Sequence, residues 1–132
     1  MRAILGALVT TFCLSMPAHA SDGLDTRWMR DSAEYWTLAR QTYRTAEQAV
    51  RNEHMNHKKW AVVLDLDETV VDNSTYQIER KAYGETFELK SWNAWCERRE
   101  AKAVPGAKEF IDAVRKMGGE VVYLSNRHVV TQ

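Results

Sequence analysis

The fold is decided by the stretch Trp60-Ala61-Val62-Val63-Leu64-Asp65-Leu66-Asp67-Glu68-Thr69. Its first five residues are apolar at every position, which predicts a strand covered by helices on both faces, as in the centre of a parallel sheet. A second strand-like segment, Glu120 to Leu124, precedes Ser125-Asn126-Arg127. We therefore expect two core strands, each followed directly by polar residues.

A helix between these strands sets their relative direction. Pro105 and Gly106 introduce an amphipathic segment that Gly118-Gly119 ends, and its apolar positions are Phe110, Ile111, Val114 and Met117. Because strands joined through a helix lie parallel, with a right-handed crossover, the sequence predicts an α/β fold. Both carboxyl ends then lie at one edge of the sheet, which is where open α/β sheets bind ligands.

Four polar residues are candidates for a site at that edge. Asp65 and Asp67 are two residues apart, so at an extended strand end both can face the same cleft. Paired carboxylates can divide labour, with one acting as a nucleophile and the other moving a proton. Ser125 and Asn126 offer a hydroxyl and an amide that suit phosphate oxygens. Two carboxylates beside a phosphate call for a hard divalent cation with oxygen ligands, and magnesium (Mg2+) suits that description best.

The segment before the first strand has helical periodicity. From Asp25 to about Asn52 it contains neither glycine nor proline and is expected to form one long helix. Its apolar stripe favours packing on a sheet, with a coiled-coil seam as the alternative. His54 and His57 then break the pattern; they could share a metal, but we interpret them as loop residues because no third ligand is nearby. The stripe consists of Met29, Trp36, Tyr43 and Val50, with Ala39 and Ala46 between them.

Residues 70–104 are irregular in pattern and rich in aromatic side chains. A short helix is expected from Ser91 to Glu100, capped by Ser91, with Trp92 and Trp95 on one side. These tryptophans and Tyr76 could stack on a substrate ring, but aromatic side chains of this kind more often belong to the core.

The charge balance argues against a polyanionic partner. The chain has 18 basic and 18 acidic side chains without a basic block, so neither nucleic acid nor a membrane surface is an expected partner. Of the two cysteines, Cys13 lies within residues 1–20, which we interpret below as a cleaved signal peptide, and it is a poor candidate for a lipid anchor. Cys96 then remains alone, which predicts no disulfide within the chain and leaves a bridge to a cysteine outside it open.

Residues 1–20 show, in sequence, the three parts of a signal peptide: a positive start, an apolar segment and a cleavage site. Arg2 supplies a positive start, and Ala3 to Leu14 is apolar but too short for a stable membrane span. Ala18-His19-Ala20 presents the small side chains that signal peptidase requires. We therefore expect cleavage before Ser21 and a periplasmic or secreted protein with no membrane attachment afterwards. The alternative is a membrane anchor or a buried helix.

Two motifs, each after a predicted strand, carry a family resemblance. The first is Asp65-Leu66-Asp67-Glu68-Thr69, within the longer match Leu64 to Tyr76, and the second is Val122-Tyr123-Leu124-Ser125-Asn126-Arg127. The chain resembles the haloacid dehalogenase (HAD) superfamily, and within it the secreted bacterial class C (subfamily IIIB) acid phosphatases. The resemblance covers nearly all of the mature chain, and it also includes Trp92, Trp95 and Ala103-Val104-Pro105-Gly106-Ala107.

The resemblance implies a HAD-like Rossmann-type parallel sheet with an N-terminal helix and a small cap segment at about 70–104. It implies a hydrolase that cleaves phosphomonoesters at acidic pH outside the cytoplasm, with nucleotides as one candidate class. Asp65 would attack phosphorus and become the aspartyl phosphate, and Asp67 would act as general acid and then as general base. Ser125, with Asn126, would hold the phosphate. The Asp65 carboxylate and the Asp67 backbone carbonyl would bind magnesium.

One departure concerns the end of the printed sequence. The superfamily takes a lysine from a third motif and one or two acidic residues from a fourth, and both should follow the second motif. The sequence reaches Gln132 without them, so we expect residues 21–132 to be an incomplete domain, truncated after the second core strand. One rival interpretation is a non-catalytic, storage-type relative, and the retained nucleophile, Asp65, argues against it. A second rival is a naturally short protein that only binds phosphate or metal, and the missing motifs favour that one.

Overall fold

A computed structural model describes residues 23–53 and 59–128. The predictions for the leader at residues 1–20 and for His54 and His57 lie outside the described residues. None of the helices in the described part is long and apolar enough to cross a membrane. In chain order the elements are α1 (Leu24–Asp31), α2 (Ala33–Glu53), β1 (Ala61–Leu64), β2 (Val71–Asp72), α3 (Ser74–Ala82), α4 (Leu89–Arg98), β3 (Lys102–Ala103), α5 (Ala107–Lys116) and β4 (Glu120–Tyr123).

The predicted pair of parallel strands is confirmed. β1 lies parallel to β4 with Leu64 opposite Tyr123. The pairing extends one step further, because the Leu124 N–H donates to the Leu64 carbonyl at 2.9 Å. Both strands therefore end at the same edge of the sheet, and the two polar segments leave that edge from neighbouring positions.

The prediction that β1 is covered on both faces is wrong for the described residues. Val63 is 63% exposed, and Val122 is exposed beside it on β4. Val62 and Leu64, which alternate with Val63 along the strand, are half-buried. α5 packs against β4, but the alternating exposure shows that one face of this two-stranded sheet stays open in this part of the chain. An apolar run specifies a strand without specifying how many layers cover it.

α5 follows the sequence pattern closely. Gly106, which precedes its first residue, has a φ of +92°, a conformation that side-chain-bearing residues rarely adopt. A Cβ at Gly106 would also lie 3.2 Å from Arg40 Cα and from Tyr43 Cβ on α2, so the glycine permits close approach of the two helices. The helix buries Ala107, Phe110, Ile111 and Val114.

The N-terminal helix predicted from Asp25 to Asn52 is two helices. Ser32 adopts an extended backbone that ends α1, and its Oγ accepts a hydrogen bond from the Tyr35 N–H at 3.0 Å. This is N-cap geometry, which satisfies an otherwise unpaired donor of α2. The principal neighbour of α2 is α5 rather than the sheet, and the rings of Tyr43 and Phe110 lie 5.5 Å apart.

Residues 70–104 are more regular than their sequence indicated. They contain α3 and α4, and the antiparallel pairing of β2 with β3 sets Val71 opposite Ala103. α4 begins at Leu89, before the predicted start. Ser91 lies inside the helix rather than at its N-cap, and its Oγ donates to the Glu88 carbonyl at 2.9 Å. The two-residue ladder brings both ends of the segment together, and its assignment as a cap stays a prediction.

The aromatic side chains of this segment form a small core. Tyr76, Trp95 and Cys96 are each at most 4% exposed, and Trp92 packs against them. Cys96 forms no disulfide within the described residues. Burial of Tyr76 and Trp95 agrees with the core interpretation and argues against direct contact of either ring with a substrate, whereas Trp92 is only half-buried.

Candidate functional site

Asp65 follows directly on β1, and its side chain is exposed. The nearest side-chain donor among the described residues is Thr69 Oγ1, at 3.5 Å from Asp65 Oδ2, which is at the outer limit for a hydrogen bond. The turn that follows is tight, because the Leu66 carbonyl accepts from the N–H groups of both Val70 and Val71, at 2.8 and 2.9 Å. The turn thus leaves the Asp65 carboxylate available to a ligand or substrate.

The turn is tied to α2 by one side chain. The Tyr43 hydroxyl donates a hydrogen bond of 2.6 Å to the Thr69 carbonyl. Burial, and to a lesser degree the neighbouring Tyr35, raises the pKa of Tyr43, which favours the protonated donor. A helix of the N-terminal region therefore helps to hold the first motif in place.

The Asp67 carboxylate, unlike that of Asp65, is held by short hydrogen bonds from an arginine. Arg127 Nε lies 3.0 Å from Asp67 Oδ1 and 3.1 Å from Oδ2, and Arg127 Nη2 lies 2.6 Å from Oδ1. The two side chains are 10% and 23% exposed, so this charge-assisted pair is largely shielded from water. The hydrogen bond to Asp67 raises the pKa of the Arg127 guanidinium. On its other side, the guanidinium lies 5.6 Å from the centre of the Trp92 ring.

Asn73 is the third member of this network. Its Nδ2 donates to Asp67 Oδ1 at 2.8 Å, and its Oδ1 accepts from Trp95 Nε1 at 2.8 Å. Asn73 is fully buried at the start of α3. The sequence motif includes Asn73 and Arg127, but sequence reasoning assigned neither a role, because no spacing rule relates Arg127 to a residue 60 positions away.

Ser125 and Asn126 lie at the predicted edge without a direct link to the aspartates. Ser125 Oγ accepts from the Arg127 N–H at 3.1 Å, and Asn126 is exposed. No hydrogen bond between these two residues and Asp65 or Asp67 is present among the described residues. Arg127 instead connects the two motifs, so the convergence predicted from strand topology is seen for the segments, with arginine as the connecting side chain.

Two further carboxylates support α3 rather than the strand edge. Glu68 Oε1 accepts from the Asn73 N–H at 3.1 Å, and Asp72 Oδ1 accepts from the Ser74 N–H at 2.7 Å. Both therefore lie at the helix N-terminus, where negative charge is favourable. Although Glu68 is partly exposed, desolvation of its carboxyl raises its pKa, opposed by its hydrogen bond to Asn73.

The oxygen ligands that magnesium prefers are present in part. Among the described residues, the Asp65 carboxylate has only the long contact with Thr69, and the Asp67 backbone carbonyl accepts no hydrogen bond. Both are hard donors of the kind that suits this ion. Within residues 23–53 and 59–128, no group of three or more His, Cys, Asp or Glu side chains is placed to hold a metal.

Comparisons with known proteins identify the family of the chain. A family model described as "HAD superfamily, subfamily IIIB (Acid phosphatase)" matches residues 10–132. Two structures of the class C acid phosphatase from Bacillus anthracis, one with tungstate bound, each match with a TM-score of 0.75 and 33% sequence identity. Each match covers 80% of this chain and 45% of that chain, so this chain spans less than half the length of those relatives. The chain belongs to the acid phosphatase family, subfamily IIIB of the HAD superfamily.

Proposed function

We propose that the protein hydrolyses phosphomonoesters through an aspartyl phosphate formed on Asp65. The observation that carries the proposal is the contrast between two carboxylates at one strand end. Within the described residues the Asp65 carboxylate is exposed and has only a long contact with Thr69, which leaves it able to attack, whereas the Asp67 carboxylate is held by Arg127 and Asn73. Family membership supports phosphoester chemistry, and the activity of the whole protein is part of this proposal.

The reaction needs two displacements at phosphorus. In the first, an Asp65 carboxylate oxygen attacks phosphorus, the ester P–O bond breaks, and the departing oxygen takes its proton from the Asp67 carboxyl. In the second, Asp67 accepts a proton from water, the water oxygen attacks phosphorus, and the bond between phosphorus and Asp65 breaks. Inorganic phosphate leaves and both carboxyl groups return to their starting states. Ser125 and Asn126 are proposed to donate hydrogen bonds to the phosphate oxygens that do not react.

Magnesium is the proposed cofactor, held by the Asp65 carboxylate and the Asp67 backbone carbonyl. When bound there it would offset negative charge shared between the carboxylate and the phosphate. The donors present fit the ion in chemical kind, and the tungstate in the Bacillus anthracis relative supports a site for a tetrahedral oxyanion in this family.

The proposed substrates are small phosphomonoesters. Nucleotides are one candidate class, because the half-buried Trp92 ring lies next to Arg127 and so near the Asp67 network. Aromatic rings of this kind stack on bases, typically with a few kcal/mol at most. Comparison of kcat/KM for a nucleoside monophosphate and a non-aromatic phosphate ester, in wild type and Trp92→Leu, tests this: an unchanged ratio of the two values would count against base stacking.

The nucleophile is tested by Asp65→Asn in the protein produced from its complete reading frame. We expect turnover of 4-nitrophenyl phosphate with magnesium to be abolished while the circular dichroism spectrum stays unchanged, because an amide cannot attack phosphorus. Asp112→Asn is the matched control, since Asp112 is exposed on α5 and pairs with Lys108. Retention of even a tenth of wild-type turnover in Asp65→Asn would show that Asp65 is not the nucleophile.

Trapping separates catalysis from binding alone. Acid quenching during turnover should leave a phosphate on the peptide that contains Asp65, detectable by mass spectrometry. Binding of phosphate or tungstate without turnover and without this adduct would instead favour the non-catalytic, phosphate-binding rival.

We also propose that the protein is exported and cleaved before Ser21, from the leader order of residues 1–20. N-terminal sequencing of the abundant soluble form should begin at Ser21, with the protein in the periplasm or medium. A soluble form that retains Met1 would contradict the proposal.

A further inference from the structure

The orientation of the Asn73 side chain is determined by its neighbours. An indole N–H can only donate, so the Asn73 atom that faces Trp95 Nε1 must be the amide oxygen. Arg127 Nη2, another obligate donor, lies 3.4 Å from the same oxygen. Nδ2 is therefore the atom directed at Asp67, and the hydrogen bond of 2.8 Å has a defined donor.

Asn73 is held at its backbone as well. Its N–H donates to Glu68 Oε1, and its carbonyl accepts from the Gln77 N–H at 3.3 Å in the first turn of α3. Asn73 has no exposed surface, and Trp95, which anchors its oxygen, is 2% exposed. A buried amide with all of these partners has little freedom to rotate, so it can impose a direction on the carboxylate it contacts.

The two carboxylate oxygens of Asp67 are consequently unequal. Oδ1 accepts from Asn73 Nδ2 and Arg127 Nη2 and shares Arg127 Nε with Oδ2; among the described residues Nε, at 3.1 Å, is the single donor to Oδ2. A carboxylate oxygen has two lone-pair positions. Asn73 Nδ2 and Arg127 Nη2 occupy both positions of Oδ1, whereas the described residues occupy only one position of Oδ2, through Arg127 Nε. Arg127 also favours Oδ1, through Nη2, and Asn73 adds to the same oxygen a neutral donor that is buried and fixed in direction by Trp95.

We propose that Asn73 is a positioning residue, which turns the Asp67 carboxylate so that Oδ2 exchanges the proton with the leaving group and with water. Trp95 acts behind it by fixing the amide. This inference rests on the proposed function, since it concerns the proton that Asp67 transfers there. The Oδ2–H bond breaks as the O–H bond of the departing alcohol forms, and the direction reverses when water attacks.

The test uses leaving groups that differ in their need for a proton. A 4-nitrophenolate ion leaves without being protonated, whereas the oxygen of an alkyl ester needs a proton in order to leave. A misdirected Asp67 should therefore slow hydrolysis of an alkyl ester far more than hydrolysis of 4-nitrophenyl phosphate. The value of kcat/KM includes only steps up to formation of the aspartyl phosphate. We expect Asn73→Leu, which is close in size and lacks the donor, to raise the ratio of kcat/KM for 4-nitrophenyl phosphate over that for glycerol phosphate about tenfold.

Asn93→Leu is the matched control, because Asn93 lies on α4 and makes no hydrogen bond to Asp67, and its ratio should equal that of wild type. A merely structural role for Asn73 would lower both kcat/KM values equally, and an unchanged ratio in folded Asn73→Leu would overturn the inference. If Asn73→Leu fails to fold, Trp95→Phe decides: it keeps an aromatic ring but removes the indole donor, and the ratio should rise about threefold. An unchanged ratio in Trp95→Phe would then overturn it. Absence of turnover of either ester by wild type would instead contradict the proposed function itself.

Discussion

The hydroxyl of Tyr43 should stabilise the protein by joining α2 to the turn of the first motif. Tyr43→Phe removes one hydrogen bond of 2.6 Å to the Thr69 carbonyl while keeping the ring packed on Phe110. A neutral hydrogen bond contributes about 1 kcal/mol net, and Thr69 is half-buried, so the carbonyl loses its partner without full access to water. We expect the free energy of unfolding to fall by about 1 kcal/mol.

Urea unfolding followed by circular dichroism measures this difference, and thermal unfolding should show a Tm lower by about 4 °C. Tyr35→Phe is the matched control, because Tyr35 is also half-buried on α2 and its hydroxyl makes no hydrogen bond within the described residues. Its effect should stay below about 0.5 kcal/mol. Equal unfolding free energies for the two variants would refute the argument that the Tyr43 hydroxyl anchors the turn.

Tyr43 and Tyr35 should also make the free energy of unfolding depend on pH in the alkaline range. Burial raises the pKa of Tyr43 above its ordinary value of 10.0, and burial, with smaller contributions from Asp72 and Glu68, raises that of Tyr35. A raised pKa means that the contribution to stability is present in full below the unfolded-state pKa and is lost as pH rises through the folded-state pKa. The free energy of unfolding should therefore decline above about pH 10. The decline should be shallower in the double variant Tyr35→Phe/Tyr43→Phe, and an unchanged slope would contradict this.

Two further predictions concern the core and the surface. Val114 on α5 has no exposed surface, so Val114→Ala should lower the free energy of unfolding, measured in urea, by about 2.5 kcal/mol. Val63 is 63% exposed, so Val63→Ala should lower it by less than about 0.5 kcal/mol. Equal losses in the two variants would contradict this difference in burial. Arg98 lowers the pKa of Glu79 through a hydrogen bond. The pair therefore stabilises the folded protein above the unfolded-state pKa of Glu79, and this stabilisation is lost as pH falls through the folded-state pKa of Glu79. Acid titration of stability should therefore be shallower in Glu79→Gln than in Glu97→Gln, and identical curves would argue against the pair.

Structural features that depend on residues close together in the chain were predictable from the sequence. The parallel strands β1 and β4 and the buried face of α5 follow from local periodicity, and Gly106 marks the start of α5 because its backbone conformation excludes most other residues. Strand topology also placed Asp65 and Ser125 at the same edge. Ser32 was a readable signal that sequence reasoning missed, since a serine N-cap can end one helix and begin another without glycine or proline.

The partners of the site residues were decided by tertiary structure alone. Asp67 meets Arg127 across 60 positions of chain, Trp95 meets Asn73 across 22, and Tyr43 meets Thr69 across 26. The sequence determines which side chains carry a charge or a hydrogen-bond donor, and local pattern determines the face or strand end from which they project. Which donor reaches which acceptor depends on how α2, α4 and the end of β4 pack around the turn after β1. Hydrogen bonds require agreement in distance and direction that only the assembled fold supplies.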